Sequence, residues 1–223
     1  MQQILTDQID VGASDGHRFC VFRARPAGHS LGTVLIAQEI FGVTPHIRAV
    51  ATQYAHAGYE ALAPQLFDRH EPNLVIPYTD IPAGLAVARS IDVMLTLLDL
   101  EACRLASSHP DNVGLVGFCW GGRTVYLASC HMALKAAVSY YGVGLPACLA
   151  QKPNCPIQFH FGKEDKSTPD SDIEAIRTAL PSTECYLYAA GHAFNNADRP
   201  SFDPASASLA FSRALDFFKR HLS

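Results

Sequence analysis

The chain has 223 residues, of which 48% are hydrophobic and 17% charged, so it can bury a full core, and its length fits one globular domain spanning 1–223. Its net charge of -4, with no run of Lys or Arg, argues against nucleic acid or an anionic membrane surface as partner and leaves a small molecule. No stretch reaches the roughly 18 to 20 apolar residues of a membrane span, and the start, Met1-Gln2-Gln3-Ile4-Leu5-Thr6-Asp7, lacks the plan of a signal peptide. A cytoplasmic protein, monomeric rather than oligomeric, is the expectation.

Two alternating segments, 4–11 and 17–25, flank Asp15-Gly16 and predict an amino-terminal hairpin. Strand-like apolar runs follow at 33–38, 59–63, 112–117, 136–140, 157–161 and 185–188, and helix-like periodic stretches at 46–57, 85–107, 121–129, 172–179 and 205–222. In the second helix Ile91, Leu95, Leu98, Ala102 and Leu105 fall on one face; in the last, Phe211, Leu215, Phe218 and Leu222 do so. Alternation of this kind predicts an α/β fold, a mainly parallel sheet with helices on both faces, and a ligand site at the carboxyl ends of the strands. The Pro-rich, aperiodic stretch 64–84 reads as a substrate-facing loop.

Seven cysteines stand at 20, 103, 119, 130, 148, 155 and 185, without a C-x-x-C pair or zinc-finger spacing, so neither a disulfide framework nor a structural zinc is indicated. Only Cys119 has a motif around it. Gly117-Phe118-Cys119-Trp120-Gly121-Gly122 follows the run Val113-Gly114-Leu115-Val116 and precedes a helix, which is the G-x-nucleophile-x-G elbow with a thiol in place of a hydroxyl. The helix amino terminus favours thiolate over thiol there.

A thiolate needs a base, and the base an orienting group. The strand 157–161 runs into a loop that carries Asp165, beside Glu164, with Asp170 and Asp172 reading as caps of the next helix. The strand 185–188 runs into Gly191-His192, which places a histidine likewise. Acid then histidine, after the nucleophile, is the chain order of an α/β-hydrolase. His160, inside an apolar strand, reads as a core residue.

With these motifs the chain resembles the dienelactone hydrolase family of α/β-hydrolases. The likeness rests on Ile36-Ala37-Gln38-Glu39-Ile40-Phe41-Gly42-Val43, Ala63-Pro64-Gln65-Leu66-Phe67, the Cys119 elbow, Tyr140-Tyr141-Gly142-Val143-Gly144, the Asp165 loop and Ala190-Gly191-His192-Ala193-Phe194. The resemblance implies a Cys119-His192-Asp165 triad and a thioester intermediate. It also implies that Glu39 contacts the resting cysteine and helps to deprotonate it, and that the Ile40 and Trp120 amides form an oxyanion hole. No metal or organic cofactor is implied, and the expected substrate is a small ester or lactone. One departure stands out: family members acting on dienelactone hold its carboxylate with two arginines, where this chain has Asn196 and, by ungapped counting, Ile81. Arg69, Arg89 and Arg199 are the nearby candidates to replace them.

Three other readings fit parts of the pattern. Residues 117–124 match Walker A spacing with Arg123 in place of lysine, and Gly142-x-Gly144 with Ala147 resembles a dinucleotide fingerprint interrupted by Pro146. The third is a non-catalytic member of the fold that binds a ligand and keeps an unreactive Cys119.

Overall fold

The computed structural model describes residues 3–222. In chain order the elements are β1 (Ile4–Gly12), β2 (Arg18–Pro26), β3 (Thr33–Ala37), α1 (Pro45–His56), β4 (Glu60–Pro64), α2 (Ile81–Ser90), α3 (Val93–Ala106) and β5 (Val113–Phe118). There follow α4 (Trp120–His131), β6 (Ala136–Tyr140), β7 (Ile157–Gly162), α5 (Asp170–Ala179), β8 (Glu184–Tyr188) and α6 (Pro204–His221). The amino-terminal hairpin forms as predicted, with Ile4 opposite Pro26 and Gly12 opposite Arg18. Its turn uses Gly16 at φ 89°, a left-handed conformation that glycine adopts without strain.

All eight strands form one sheet in the order β1-β2-β4-β3-β5-β6-β7-β8. Pairing is antiparallel from β1 through β2 to β4 and parallel from there to β8. Strands β3 to β7 are buried along their whole length, which is why they read as unbroken apolar runs rather than as alternating ones. Successive side chains still point to opposite faces. Leu35, Leu115 and Phe159 pack with Leu100, Cys103 and Val125 from α3 and α4. Val34, Ile36, Val116 and Val138 pack on the other face with Val50 and Tyr54 of α1 and Ala214 and Phe218 of α6.

The single helix predicted over 85–107 is two helices. Ile91 and Asp92 are both extended, and α2 and α3 meet at 85°. Asp92 explains the break: its carboxylate accepts from the Met94 amide at 2.8 Å and so caps a new helix instead of continuing the old one. Likewise α2 begins earlier than expected, because Asp80 accepts from the Ala83 amide at 3.1 Å and a proline suits the first turn. The break also rotates the buried face. Thr96, Leu97, Leu100 and Cys103 lie inward on α3, whereas Leu105, expected in the core, is 61% exposed. In α6 the expected face turns inward in part: Phe218 is buried, as is Leu222 just past the helix, while Phe211 and Leu215 are half-buried and Ala210, Ala214 and Phe217 complete the inner side.

The substrate-facing loop is also revised. Residues 65–80 are irregular, but the part of 64–84 that reaches the cavity described below is Ile81, on the first turn of α2. Asp170 and Asp172 lie in the first turn of α5 rather than at its cap, which is Pro169; there they face the positive end of the helix. Among the described residues no single helix is long and apolar enough to cross a membrane; α2 and α3 together pass on length and composition, but bent.

Arg69 ties the irregular segment down. Its Nε and Nη2 donate to the two carboxylate oxygens of Asp99 on α3 at 2.8 and 2.7 Å, and Nη1 donates to Asp15 in the hairpin turn at 2.8 Å. The Asp99 side chain is only 1% exposed, so removing its partner strands a buried charge. Arg69→Ala is expected to cost about 3–5 kcal/mol of unfolding free energy in urea titrations at neutral pH. A loss within the scatter of ordinary surface changes, about 0.5 kcal/mol, would contradict this account of the pair.

Candidate active site

The site is built at the carboxyl ends of the parallel strands. β5 stops at Phe118 and α4 begins at Trp120, leaving Cys119 alone in the turn at φ 57°, ψ -114°. A non-glycine residue in that region stores about 1–3 kcal/mol of strain, which the surrounding packing must hold. Close contacts show how it does so. A Cβ on Gly117 would sit 2.3 Å from the Gly121 carbonyl oxygen, and one on Gly121 would sit 2.4 Å from the carbonyl oxygens of both Ala37 and Gln38. The Cys119 amide donates to the Tyr140 carbonyl at 3.0 Å, fastening the turn to β6.

This geometry decides two of the other readings. A phosphate-wrapping loop needs several residues between strand and helix, and here one residue separates them. Gly142 and Gly144 lead only to a single 3-10 turn, Leu145–Cys148, so no helix amino terminus awaits a dinucleotide.

Asp165, after β7, and His192, after β8, meet beside Cys119. His192 Nδ1 lies 2.7 Å from Asp165 Oδ2, and Asp165 Oδ1 accepts from the Ser167 amide at 2.7 Å. Burial alone would disfavour the imidazolium, yet the bonds to Asp165 and Cys119 outweigh it and carry the His192 pKa up to about 10. Burial also works against a charged Asp165, but His192 and the Ser167 amide hold its carboxyl below the usual range. With Nδ1 engaged by the acid, Nε2 is left for the sulfur. Ser201 donates its hydroxyl to the His192 carbonyl and braces the loop. The Tyr141 ring packs edge-on against the imidazole, with centroids 5.1 Å apart.

Glu39 sits in the loop after β3 and is buried. Its Oε2 accepts from Asn196 Nδ2 at 2.7 Å; the same amide reaches the Tyr78 hydroxyl at 3.1 Å, and Tyr78 donates to Thr44 at 3.0 Å. Among the described residues Glu39 has this bond to Asn196 and no hydrogen bond to Cys119, the residue it was expected to contact. Burial pushes the Glu39 carboxyl up despite the Asn196 bond. The Tyr141 hydroxyl, close to both Glu39 and Cys119, is buried without a hydrogen-bond partner among the described residues.

Ile40, Trp120, Cys119, His192 and Glu39 all border one cavity of about 760 Å³. Trp120 is the first residue of α4, so its amide has no acceptor within the helix, as an oxyanion donor requires. Gly84 of α2 lies over the Ile40 carbonyl, where a Cβ would come within 2.5 Å, and so sets how close α2 approaches this loop.

Of the three arginines singled out from the sequence, Arg69 is spent on Asp99 and Asp15, while Arg89 and Arg199 do border the cavity. Arg199 stacks over the rings of Phe41 and Tyr78, 5.2 and 5.4 Å from their centroids. Sequence reasoning missed Arg123 as a cavity residue. Its place one helical turn after Trp120 was the available signal.

Of the other cysteines, burial pushes Cys20, Cys103, Cys130 and Cys185 up, and Cys155 up to about 12, away from nucleophilic character. All seven are free thiols. His160 is a core residue, held neutral by burial between Tyr188 and Gln158 at 2.7 Å each.

The model of the dienelactone hydrolase family matches residues 19–222. The carboxymethylenebutenolidase of Pseudomonas putida is 33% identical over 227 residues, with 96% of each chain covered. An Escherichia coli (strain K12) relative is 37% identical over 235 residues, 93% of this chain and 84% of its own. A solved structure from Klebsiella pneumoniae aligns with a TM-score of 0.89 at 30% identity, covering 98% of this chain and 99% of that one. The chain belongs to the dienelactone hydrolase family, carboxylic ester hydrolases of the α/β-hydrolase fold.

Proposed function

We propose that the protein cleaves a carboxylic ester or lactone by covalent catalysis at Cys119, with His192 and Asp165 as base and orienting acid. The observation that carries this reading is the strained Cys119 turn opening onto the same cavity as an imidazole bonded at 2.7 Å to a buried carboxylate. The raised His192 pKa favours a resting imidazolium beside the Cys119 sulfur.

From that pair the steps follow. The thiolate attacks the carbonyl carbon, and the oxygen takes the negative charge facing the Ile40 and Trp120 amides, where such donors lower the barrier by about 3 kcal/mol each. Collapse expels the alkoxide, which takes the Nε2 proton, and a thioester remains. The now neutral imidazole removes a proton from water, hydroxide adds to the thioester, and the acid leaves as the thiolate returns. Asp165 keeps the proton on Nδ1 throughout, so Nε2 is the atom that exchanges. Glu39, raised by burial and hydrogen-bonded to Asn196 rather than to Cys119, is assigned no proton-transfer step. No step requires a metal or organic cofactor.

The deciding experiment compares cis-dienelactone with an uncharged aryl acetate, using Cys119→Ala as the blank. Cys119-dependent cleavage of either supports the reading, and strong preference for the lactone assigns its carboxylate to arginines other than those of the relatives. Hydrolysis by Cys119→Ala at the wild-type rate would refute it. Asp165→Asn is expected to lower kcat by about ten-thousandfold, because the imidazole loses its fixed tautomer. Stability gives an independent check. His192 is raised above its unfolded value near 6.5, so its contribution is full below that pH and is lost as pH rises through about 10. Urea unfolding of wild type and His192→Gln should therefore differ most at pH 6 and converge above pH 10; a gap independent of pH would contradict the assignment.

A further inference from the structure

The cavity is much larger than the reaction centre, and it extends in one direction. Trp120, Thr124 and Leu127 line it from a single face of α4. At a rise of about 1.5 Å per residue, the seven steps from Trp120 to Leu127 carry it roughly 10 Å beyond the nucleophile. The opposite wall is α2 and the start of α3: Leu85, Ala88 and Val93 face the same space, brought together by the 85° turn between the two helices. Leu85 and Val93 are each 37% exposed, as is expected of apolar side chains whose partner arrives with a ligand. Arg123 on α4 and Arg89 on α2 border the same cavity, Arg123 with its Nη1 3.5 Å from where a Gly144 Cβ would be, so the apolar walls carry guanidinium groups at their edges. A volume of about 760 Å³ belongs to the range of roughly 300–1,000 Å³ that holds drug-sized ligands, whereas dienelactone is a small ring with a short carboxylate arm.

We infer that the substrate is an ester carrying an extended apolar group, on its acyl or its alcohol side, which lies between α4 and the α2–α3 elbow while the scissile carbonyl meets Cys119. This rests on Cys119-dependent ester hydrolysis as proposed above. The arm acts by burying apolar surface, so binding strengthens with each methylene that fits, and a branch inside it is rejected.

The test measures kcat/KM for 4-nitrophenyl acetate against 4-nitrophenyl hexanoate, and for ethyl acetate against hexyl acetate, with Cys119→Ala as the blank. At least a tenfold preference for the longer member of one series is expected. Leu85→Asp, at an exposed position that tolerates charge, and Ala88→Phe, which fills the arm, should each shrink that ratio toward one, with thermal unfolding followed in parallel to confirm a folded chain. Equal rates within both series, or a ratio that survives both substitutions in folded protein, overturns the inference and leaves ester hydrolysis standing. Absence of any Cys119-dependent cleavage overturns the hydrolytic reading and this inference with it.

Discussion

Everything at this site depends on how closely the β5–α4 turn packs. Cys119 holds a backbone conformation that an unsupported chain would leave, and it is held because Gly117 and Gly121 bring three backbone segments within contact distance of one another. Gly121 touches the carbonyls of Ala37 and Gln38, so the turn that presents the sulfur also sets where the Glu39–Ile40 loop begins. One steric constraint thereby positions the proposed nucleophile and a proposed oxyanion donor together. Tyr141 and Ala193, at φ 38° and 62°, are further positive-φ residues near the same centre. Such clustering of strain is what a preorganised site shows, with the cost borne by the buried strands around it.

Around the sulfur, two carboxylates have opposite characters. Asp165 is held ionised by His192 and a backbone amide, and it in turn stabilises the imidazolium. Glu39, with only an amide donor, is pushed by burial toward its neutral form. Environments that drive two acids apart assign them different work. Asn196 matters here as a neutral residue: its amide donates to the Glu39 carboxyl without bringing a charge that would hold it ionised.

Much of the architecture was legible because parallel strands buried on both faces leave unbroken apolar runs, and because an elbow nucleophile demands glycines at fixed offsets. The order of Cys119, Asp165 and His192, on the loops after β5, β7 and β8, could be read for the same reason. Helix boundaries were less legible. Residues 85–107 carry a continuous helical period, and one aspartate, Asp92, competes locally with that period and wins through a 2.8 Å bond to Met94. The break turned the buried stripe of α3 and shaped the cavity wall, neither of which a periodic pattern encodes. The fates of the arginines were illegible for a different reason. Arg69 meets Asp99 and Asp15 across 30 and 54 residues of sequence, and such pairings arise only when the chain is folded.

The central claim is that acyl transfer passes through the Cys119 sulfur. Rapid acid quenching of wild type during turnover of an activated acetate, followed by peptide mass analysis, tests it directly. One acetyl group on the peptide carrying Cys119, absent in Cys119→Ala and enriched when His192 is replaced by Gln, is the predicted result. Steady hydrolysis with no acylated Cys119 at any quench time, or an acetyl group that accumulates on another side chain at the rate of turnover, would contradict the account.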